Sequence, residues 1–522
     1  MVTDESPAGL TQGAAAGERL LLVSNRGPVT YDVTRDGRLR PTRGSGGVVT
    51  ALEAVRGQRP VRWIACAMTE GDRRAAAELA ADPVARDDWF SQGFVVLPRD
   101  VYRKYYEVFA NRVIWFLQHY LWNAPYEPKI DARMWDAWES GYVPANAAFA
   151  DAVVAELEQG GDGVVMLQDY HLYLAAARIR ERAPGVVLQH FTHIPWPEPR
   201  YWQLLPQAMR REICESMVAN DIVGLQTERD VTNFLATAWD NLPGVEVDAS
   251  AGLLRYSGRE VTVRAYPISV DPARLRRTVR SAEARRHVAR LAALAGERTI
   301  VRVDRLDPSK NVLRGFEAFE RLLRRRPEFR GHVRFLAFLV PTREKVPAYR
   351  RYREQVMALV ERINTRYGRP GWQPIEIFYE NHYLQALAGM TLYDALLVNP
   401  VLDGMNLVAK EGPIVNERAG VLVLSEGAGA HNQLAGWALS VAPADVEGTA
   451  ETLERALLMP RPEREARAAA LRLAIEREDV QAWMRAQVAD IARLAASARA
   501  RRAAGAALSR SLPKPAAEHL PV

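Results

Sequence analysis

The sequence predicts an α/β protein built from two consecutive doubly wound, Rossmann-like halves that face an interdomain cleft. Three observations predict it. Short apolar runs recur along the chain, separated by helix-length segments, which is the βα alternation of a parallel sheet. The series restarts after a linker near residues 268–272. The chain has 522 residues, more than one ordinary core holds. In such folds ligands lie in the crevice at the carboxyl ends of the strands, so strand ends are where chemistry is sought.

Taken in order, RLLLVS (Arg19–Ser24) is a buried strand that runs into the polar Asn25 and Arg26. The glycine-rich loop RGSGG (Arg43–Gly47) precedes the helical VVTALEAV, and its glycines allow close backbone approach and leave amides free for an anion. Strands are then expected at Val61–Ala67, Gly93–Pro98, Gly163–Asp169, Val186–His193 and Asp221–Thr227. After YPISVD (Tyr266–Asp271) the second series follows at Glu297–Asp307, Val333–Val340, Pro374–Tyr379, Tyr393–Pro400, Gly420–Glu426 and Ala438–Pro443. Residues 1–17 read as a disordered segment, 18–268 as the first half and 269–470 as the second. Residues 471–495 read as a helix packing back on the first half, and 496–522 as a disordered tail.

Composition excludes several classes. No run reaches the roughly 18 apolar residues of a membrane span, and MVTDESPAGLTQGAAA lacks the basic start and apolar stretch of a signal peptide. Cys66 and Cys214 make neither a disulfide framework nor a CxxC pair. A cytoplasmic protein without membrane contact is expected. The net charge of +6 comes from arginines interleaved with glutamates on helices, which are solvated faces and not a nucleic-acid surface. That mild basic balance suits phosphate-bearing small molecules.

There is no P-loop, no GxGxxG with a following acid, no HExxH and no GxSxG elbow. What remains are polar residues at strand ends. Arg305 and Lys310 in VDRLDPSKN are two cations just past a strand. They either clamp a diphosphate or pair at the surface with Asp304 and Asp307. In NPVLDGMNLVAKEGP, Asp403 and Gly404 make a turn into a helix, and Glu411 lies far enough along to reach a ribose diol; an ordinary capped helix reads the same. Asp169 and His193 each end a strand, in QDYHLY and FTHIPWP; the histidine is either a satisfied structural residue or, paired with the aspartate, part of a sugar-hydroxyl site. These segments hold too few ligands at metal spacing for a bound cation. Tyr106 and Trp115 in KYYEVFANRVIWFLQHY are placed on one side of a broken helix, either as core or as site.

In this order SNRGPV, SGGVVTAL, YYEVFANRVIW, QDYHL, HIPWP, VDRLDPSK, PTRE and LDGMNLVAKE run from Ser24 to beyond Glu411. The set resembles the trehalose-6-phosphate synthases, retaining glycosyltransferases of the two-Rossmann-domain GT-B type, and in particular an actinobacterial-type branch. The resemblance implies an acceptor-binding first half and a nucleotide-sugar-binding second half. It implies that Arg26, Tyr106, Trp115 and Arg343 surround a glucose 6-phosphate acceptor whose hydroxyls meet Asp169. Gly46 and Gly47 would approach the donor, Arg305 and Lys310 would clamp its diphosphate, and His193 and Asp403 would hold the transferred glucose. Leu407, Val408, Ala409, Lys410 and Glu411 would line the nucleotide, His382 the base, and Trp115 with Ile194 would select the acceptor anomer. Asp169, His193, Arg305, Lys310 and Asp403 are thus the expected catalytic set. The donor would be UDP-glucose or GDP-glucose, with no cofactor and no obligatory metal; a homo-oligomer is left open. The chain departs from the common pattern at Cys66, where a GWSG segment puts tryptophan, at Gln168 for histidine, at Asn311 for glycine, and in WFLQHYLW for WPxxHY. These departures also resemble validoxylamine 7′-phosphate synthases, so a pseudo-glycosyltransferase joining cyclitols is the alternative, with a catalytically silent sugar-phosphate-binding regulator as a third reading.

Overall fold

The computed structural model describes residues 20–43, 61–81, 90–160 and 163–511. Among them, the first half forms a nine-stranded sheet. Its strands are β1 (Leu20–Ser24), β4 (Val61–Cys66), β5 (Phe90–Val95), β6 (Val164–Gln168), β7 (Val187–Phe191), β8 (Ile222–Leu225), β9 (Glu246–Asp248), β10 (Leu253–Tyr256) and β11 (Arg259–Ala265). A separate hairpin, β2 (Val29–Val33) with β3 (Leu39–Arg43), follows β1. The sheet order is β5-β4-β1-β6-β7-β8-β11-β10-β9. It is parallel from β5 to β11 and antiparallel only at the β11-β10-β9 edge. The first lobe's central strands β1, β6 and β7 are buried along their whole length, as expected where helices cover both faces.

The second half repeats the plan with β12 (Arg298–Arg305), β13 (Val333–Val340), β14 (Ile375–Tyr379), β15 (Ala395–Val398), β16 (Val421–Ser425) and β17 (Leu439–Val441). Their order is β14-β13-β12-β15-β16-β17, all parallel. In each sheet the chain winds outward one way, returns to the centre and winds the other. The reversal lies between β1 and β6 in the first sheet and between β12 and β15 in the second. At such a point adjacent loops diverge and leave a crevice.

Among the described residues the chain crosses between lobes twice. It leaves the first at Tyr266–Asp271 and returns where the Val480 amide donates to the Val270 carbonyl at 2.9 Å. The helix Arg461–Arg477 belongs to the second lobe, where Arg472 donates to the Pro413 and Asn416 carbonyls. The next helix, Val480–Ser511, lies on the first. Trp483 Nε1 donates to the Tyr266 carbonyl at 3.1 Å, and Gln189 binds Gln487 at 2.8 Å. Packing back therefore starts at 480 and not at 471. The tail expected to be disordered from 496 is helical to Ser511, since its alanines and arginines are strong helix formers. Residues 1–17 lie outside the described residues. No helix among the described residues is long and apolar enough to cross a membrane.

Candidate active site

Both reversal points end in the residues singled out by the sequence. Arg26 follows β1 and Asp169 follows β6; Arg305 ends β12 and the Asp403 turn follows β15. The lobes touch here at backbone level. A Cβ built on Gly404 would lie 2.1 Å from the His193 carbonyl oxygen and 3.2 Å from the Ile194 Cα.

Asp169 holds φ +74°, ψ 170°, a conformation that costs a non-glycine residue on the order of 1–3 kcal/mol. It is fixed by its own amide, which donates to the Phe191 carbonyl at 2.7 Å, and by the His193 amide, which donates to Oδ1 at 3.1 Å. Burial pushes its carboxyl up to about 6, against the pull of the His193 amide and of Arg305 and Arg343. His193 is neutral, driven down to about 3 by burial. Its Nε2 donates to Gln168 Oε1 at 2.9 Å, and Nδ1 has no partner among the described residues. The glutamine that departs from the common motif thus sets the tautomer and leaves Nδ1 to accept a hydroxyl.

Five residues past β12, Lys310 pairs with Asp403, whose Oδ2 also accepts from Asn406 Nδ2 at 3.0 Å. The surface-pair reading of Arg305 and Lys310 does not describe this loop. Asp304 is taken by the buried Arg302 at 2.8 Å, and Asp307 by Arg343 at 2.8 Å. Arg305 has no ion pair among the described residues; its guanidinium lies 4.9 Å from the Trp115 ring centroid. Asp307 also caps the turn Pro308–Lys310 by accepting from the Ser309 amide and hydroxyl. Asn311 takes φ +57°, a left-handed conformation that asparagine tolerates best after glycine, so the departure at 311 keeps the loop's path.

Trp115 carries Arg343 on its ring, 3.9 Å from the centroid, and stacks on His119. All five N–H groups of Arg343 are engaged. Nε and Nη2 donate to Asn111 Oδ1, Nη1 to Asp307 and the Tyr349 hydroxyl, and Nη2 to the Tyr170 hydroxyl at 3.3 Å. Asn111 and Tyr170 belong to the first lobe, Asp307 and Tyr349 to the second, so Arg343 bridges them. Burial raises the Asp307 carboxyl, but Arg343 and Arg305 outweigh it and hold it at about 2. Tyr106 stacks on His171 at 5.7 Å and 15°. His171 is driven down to about 3 by burial, then by Arg343 and Arg26, which puts the exposed Arg26 cation on the same pocket. Tyr106 lies on the wide helix Arg103–Ile114, a π-type form that recurs at functional sites. Trp115 begins the next turn.

On the nucleotide side, Leu407 precedes the helix Val408–Val415. Glu411 is pushed up to about 7 by burial, against a weaker downward pull from the nearby Tyr383 hydroxyl. Lys410 turns away: its Nζ donates to the Ile268 carbonyl at 2.8 Å, and burial lowers it to about 7. His382 caps the helix Tyr383–Met390 by accepting from the Gln385 amide at 3.2 Å. Cys66 is buried with its thiol pushed up to about 12 by burial. Gly46 and Gly47 lie outside the described residues. Sequence reading missed Asn111, Tyr170, Asp307 and Tyr349 as members of the cluster. Asn111 sits inside YYEVFANRVIW among more conspicuous aromatics, and the sequence offers Asp307 only under one of two alternatives, as a surface partner of the two cations.

The family model described as glycosyltransferase family 20 matches residues 18–493. The bifunctional trehalose-6-phosphate synthase/phosphatase of Thermoproteus tenax is 36% identical over 89% of this chain and 62% of its own length. The chain spans about three fifths of the length of that relative and of another curated one that it matches. Among solved structures, an E. coli trehalose-6-phosphate protein bound with UDP-2-fluoro glucose superposes with TM-score 0.78 and 28% identity, over 91% of this chain and 99% of that one. An α,α-trehalose-phosphate synthase (UDP-forming) of Burkholderia xenovorans, in complex with glucose-6-phosphate, gives TM-score 0.77 and 29% identity over the same shares.

Proposed function

Since the chain belongs to glycosyltransferase family 20, we propose that it moves glucose, with retention, from a nucleoside-diphosphate glucose to glucose 6-phosphate and so makes trehalose 6-phosphate. The observation that carries this reading is the meeting of both reversal points at one crevice, with the Arg305 guanidinium held against Trp115 and free of any carboxylate among the described residues. A cation placed there without a partner suits an incoming anion. The UDP compound in the E. coli structure makes UDP-glucose the first donor to test, ahead of GDP-glucose.

In the proposed step an acceptor hydroxyl oxygen bonds to the anomeric carbon on the face that the diphosphate leaves. The anomeric C–O bond to the diphosphate breaks, and the hydroxyl proton passes to the departing diphosphate oxygen. No cofactor enters this balance and no metal is required by it. Arg305 and Lys310 take the negative charge that grows on the leaving group. His193 Nδ1 and Asp403 hold hydroxyls of the moving glucose. Asp169, as carboxylate, accepts from acceptor hydroxyls, and Arg26, Tyr106 and Arg343 bind the phosphate, Arg343 by exchanging one of its present partners. Glu411 accepts from the ribose diol. Closure of the lobes excludes the water that would hydrolyse the donor. We assign the work to a reducing cytoplasm, a choice supported by two free, buried cysteines.

A donor panel of UDP-, GDP- and ADP-glucose, each with and without glucose 6-phosphate, tests the reading. Nucleoside diphosphate is expected only when the acceptor is present, with an α,α-linked disaccharide phosphate as product. Turnover confined to an amino-cyclitol phosphate, or binding without any turnover, rejects it.

A pH effect follows from Glu411. Burial raises its pKa to about 7, so the carboxylate that accepts ribose hydroxyls forms only as pH rises through that value. The donor KM should therefore fall between about pH 6 and 8, and Glu411→Gln should abolish that limb while raising KM. A wild-type donor KM that is level across this range removes Glu411 from the ribose.

A further inference from the structure

We propose that Glu283, His287 and His382 form a site for a late first-row divalent cation, best suited to Zn2+, whose occupation weakens nucleotide binding. Glu283 and His287 lie four residues apart on the helix Ala282–Leu294 and so share one face. Ser281 caps that helix from its hydroxyl and fixes its start. His382 begins the neighbouring helix Tyr383–Met390, and its ring meets that of His287 at 4.6 Å and 68°. One ligand atom from each of the three lies within 4.8 Å of the others. A tetrahedral zinc with bonds of roughly 2.0–2.2 Å brings its ligand atoms to roughly 3.4 Å apart, within the rotamer freedom of half-exposed side chains. Two imidazoles and one carboxylate, with a fourth position left for water, favour zinc, cobalt or nickel over the oxygen-seeking magnesium and calcium. Neither Glu283 nor His287 has a salt bridge among the described residues. The adverse charges are Arg290, whose Nη2 lies 3.4 Å from His287 Nδ1 and is also held by Gln385, and, more weakly, Arg286.

The consequence for the nucleotide follows from the His382 ring. Its Nδ1 lone pair accepts the Gln385 amide and caps the helix. A neutral imidazole has a single lone pair. Metal at Nδ1 displaces the amide, and metal at Nε2 moves the ring proton to Nδ1, where it faces an N–H. Either way the cap is lost at the turn that carries Tyr383, whose hydroxyl faces Glu411. Metal and nucleotide are then antagonists through one helix start, and by linkage each weakens the other. The antagonism rests on the reading that Glu411 holds the ribose; the metal site does not.

The test uses the full chain stripped with chelator, titrated calorimetrically with Zn2+ alone and with UDP alone and in the presence of Zn2+, and with Co2+ followed by its visible absorption. One Zn2+ per chain is expected, with the intense visible bands of tetrahedral Co2+. His287→Ala, which removes a metal ligand that is not itself a proposed substrate contact and leaves the His382 cap on Gln385 in place, should weaken Zn2+ binding at least ~10-fold and leave the metal-free melting temperature and UDP affinity unchanged. Zn2+ should lower UDP affinity in the wild type and not in His287→Ala. Zn2+ binding that survives both His287→Ala and Glu283→Gln overturns the site. Binding that depends on His287 but leaves UDP affinity unmoved overturns the antagonism. A chain that binds Zn2+ and UDP as described yet never transfers glucose sinks the proposed function and leaves this site standing.

Discussion

Replacing Arg305 by alanine is expected to lower turnover at saturating substrates by about 10²–10³-fold, in line with the loss of one preorganised donor to developing charge, while the protein stays folded. The structural cost is small because the guanidinium has no carboxylate of its own among the described residues; it leaves only the Trp115 face. Asp307 keeps Arg343 and the Tyr349 hydroxyl, so no buried charge is orphaned. Arg343 also stays on the other contact with Trp115. The loss should appear mainly in kcat, since the charge on the diphosphate grows as it departs. Arg305→Lys should recover only part of it, because an ammonium is a point charge and not a planar fork. Turnover near wild type in the alanine variant, with an unchanged melting curve, would remove Arg305 from the clamp.

How much of this was legible in the sequence differs by element. The strand Val333–Val340 is an unbroken apolar octet but for Arg334, and the structure makes it a strand over those same residues. The strand expected at Gly93–Pro98 lies instead at Phe90–Val95, because register is set by pairing with Val61–Cys66 and not by the richest apolar stretch. The strands β9, β10 and β11 went unread, because β9 and β10 have only three and four residues and polar residues interrupt all three. Arg302 shows the limit most clearly: a charge inside a strand has no periodic signature, and its role is fixed by Asp304 and by the Val312 and Lys310 carbonyls. Residues at strand ends could be placed, since topology alone puts them at the crevice. The Asn111–Arg343 contact could not, because its members are 232 residues apart and meet only when two lobes close on each other.

That closure is what Gly404→Ala should break, with a loss of transfer of about 10²-fold or more. The added methyl would stand 2.1 Å from the His193 carbonyl oxygen, a backbone atom that no rotamer change can move aside. Behind it the turn has no room to retreat, because a Cβ on Gly429 would itself lie 1.8 Å from the Gly404 oxygen and the Gly429 amide already binds the Asp403 carbonyl. Nor does the next residue give slack, since Met405 is buried and its carbonyl accepts from the Ala430 amide at 2.9 Å. The cheapest relief is for the lobes to part. Each sheet keeps its own core, so the melting temperature should fall little. Yet parting carries Asp403 and Lys310 away from His193 and Asp169 and stretches the Arg343 bridge to Asn111 and Tyr170. Misplacement by about 1 Å at a reacting centre costs on the order of 10²-fold. Small-angle scattering should show a larger radius of gyration with donor and acceptor bound than the wild type has under the same conditions. An alanine variant that closes and transfers like the wild type would mean that His193 and the Asp403 turn do not meet during the reaction.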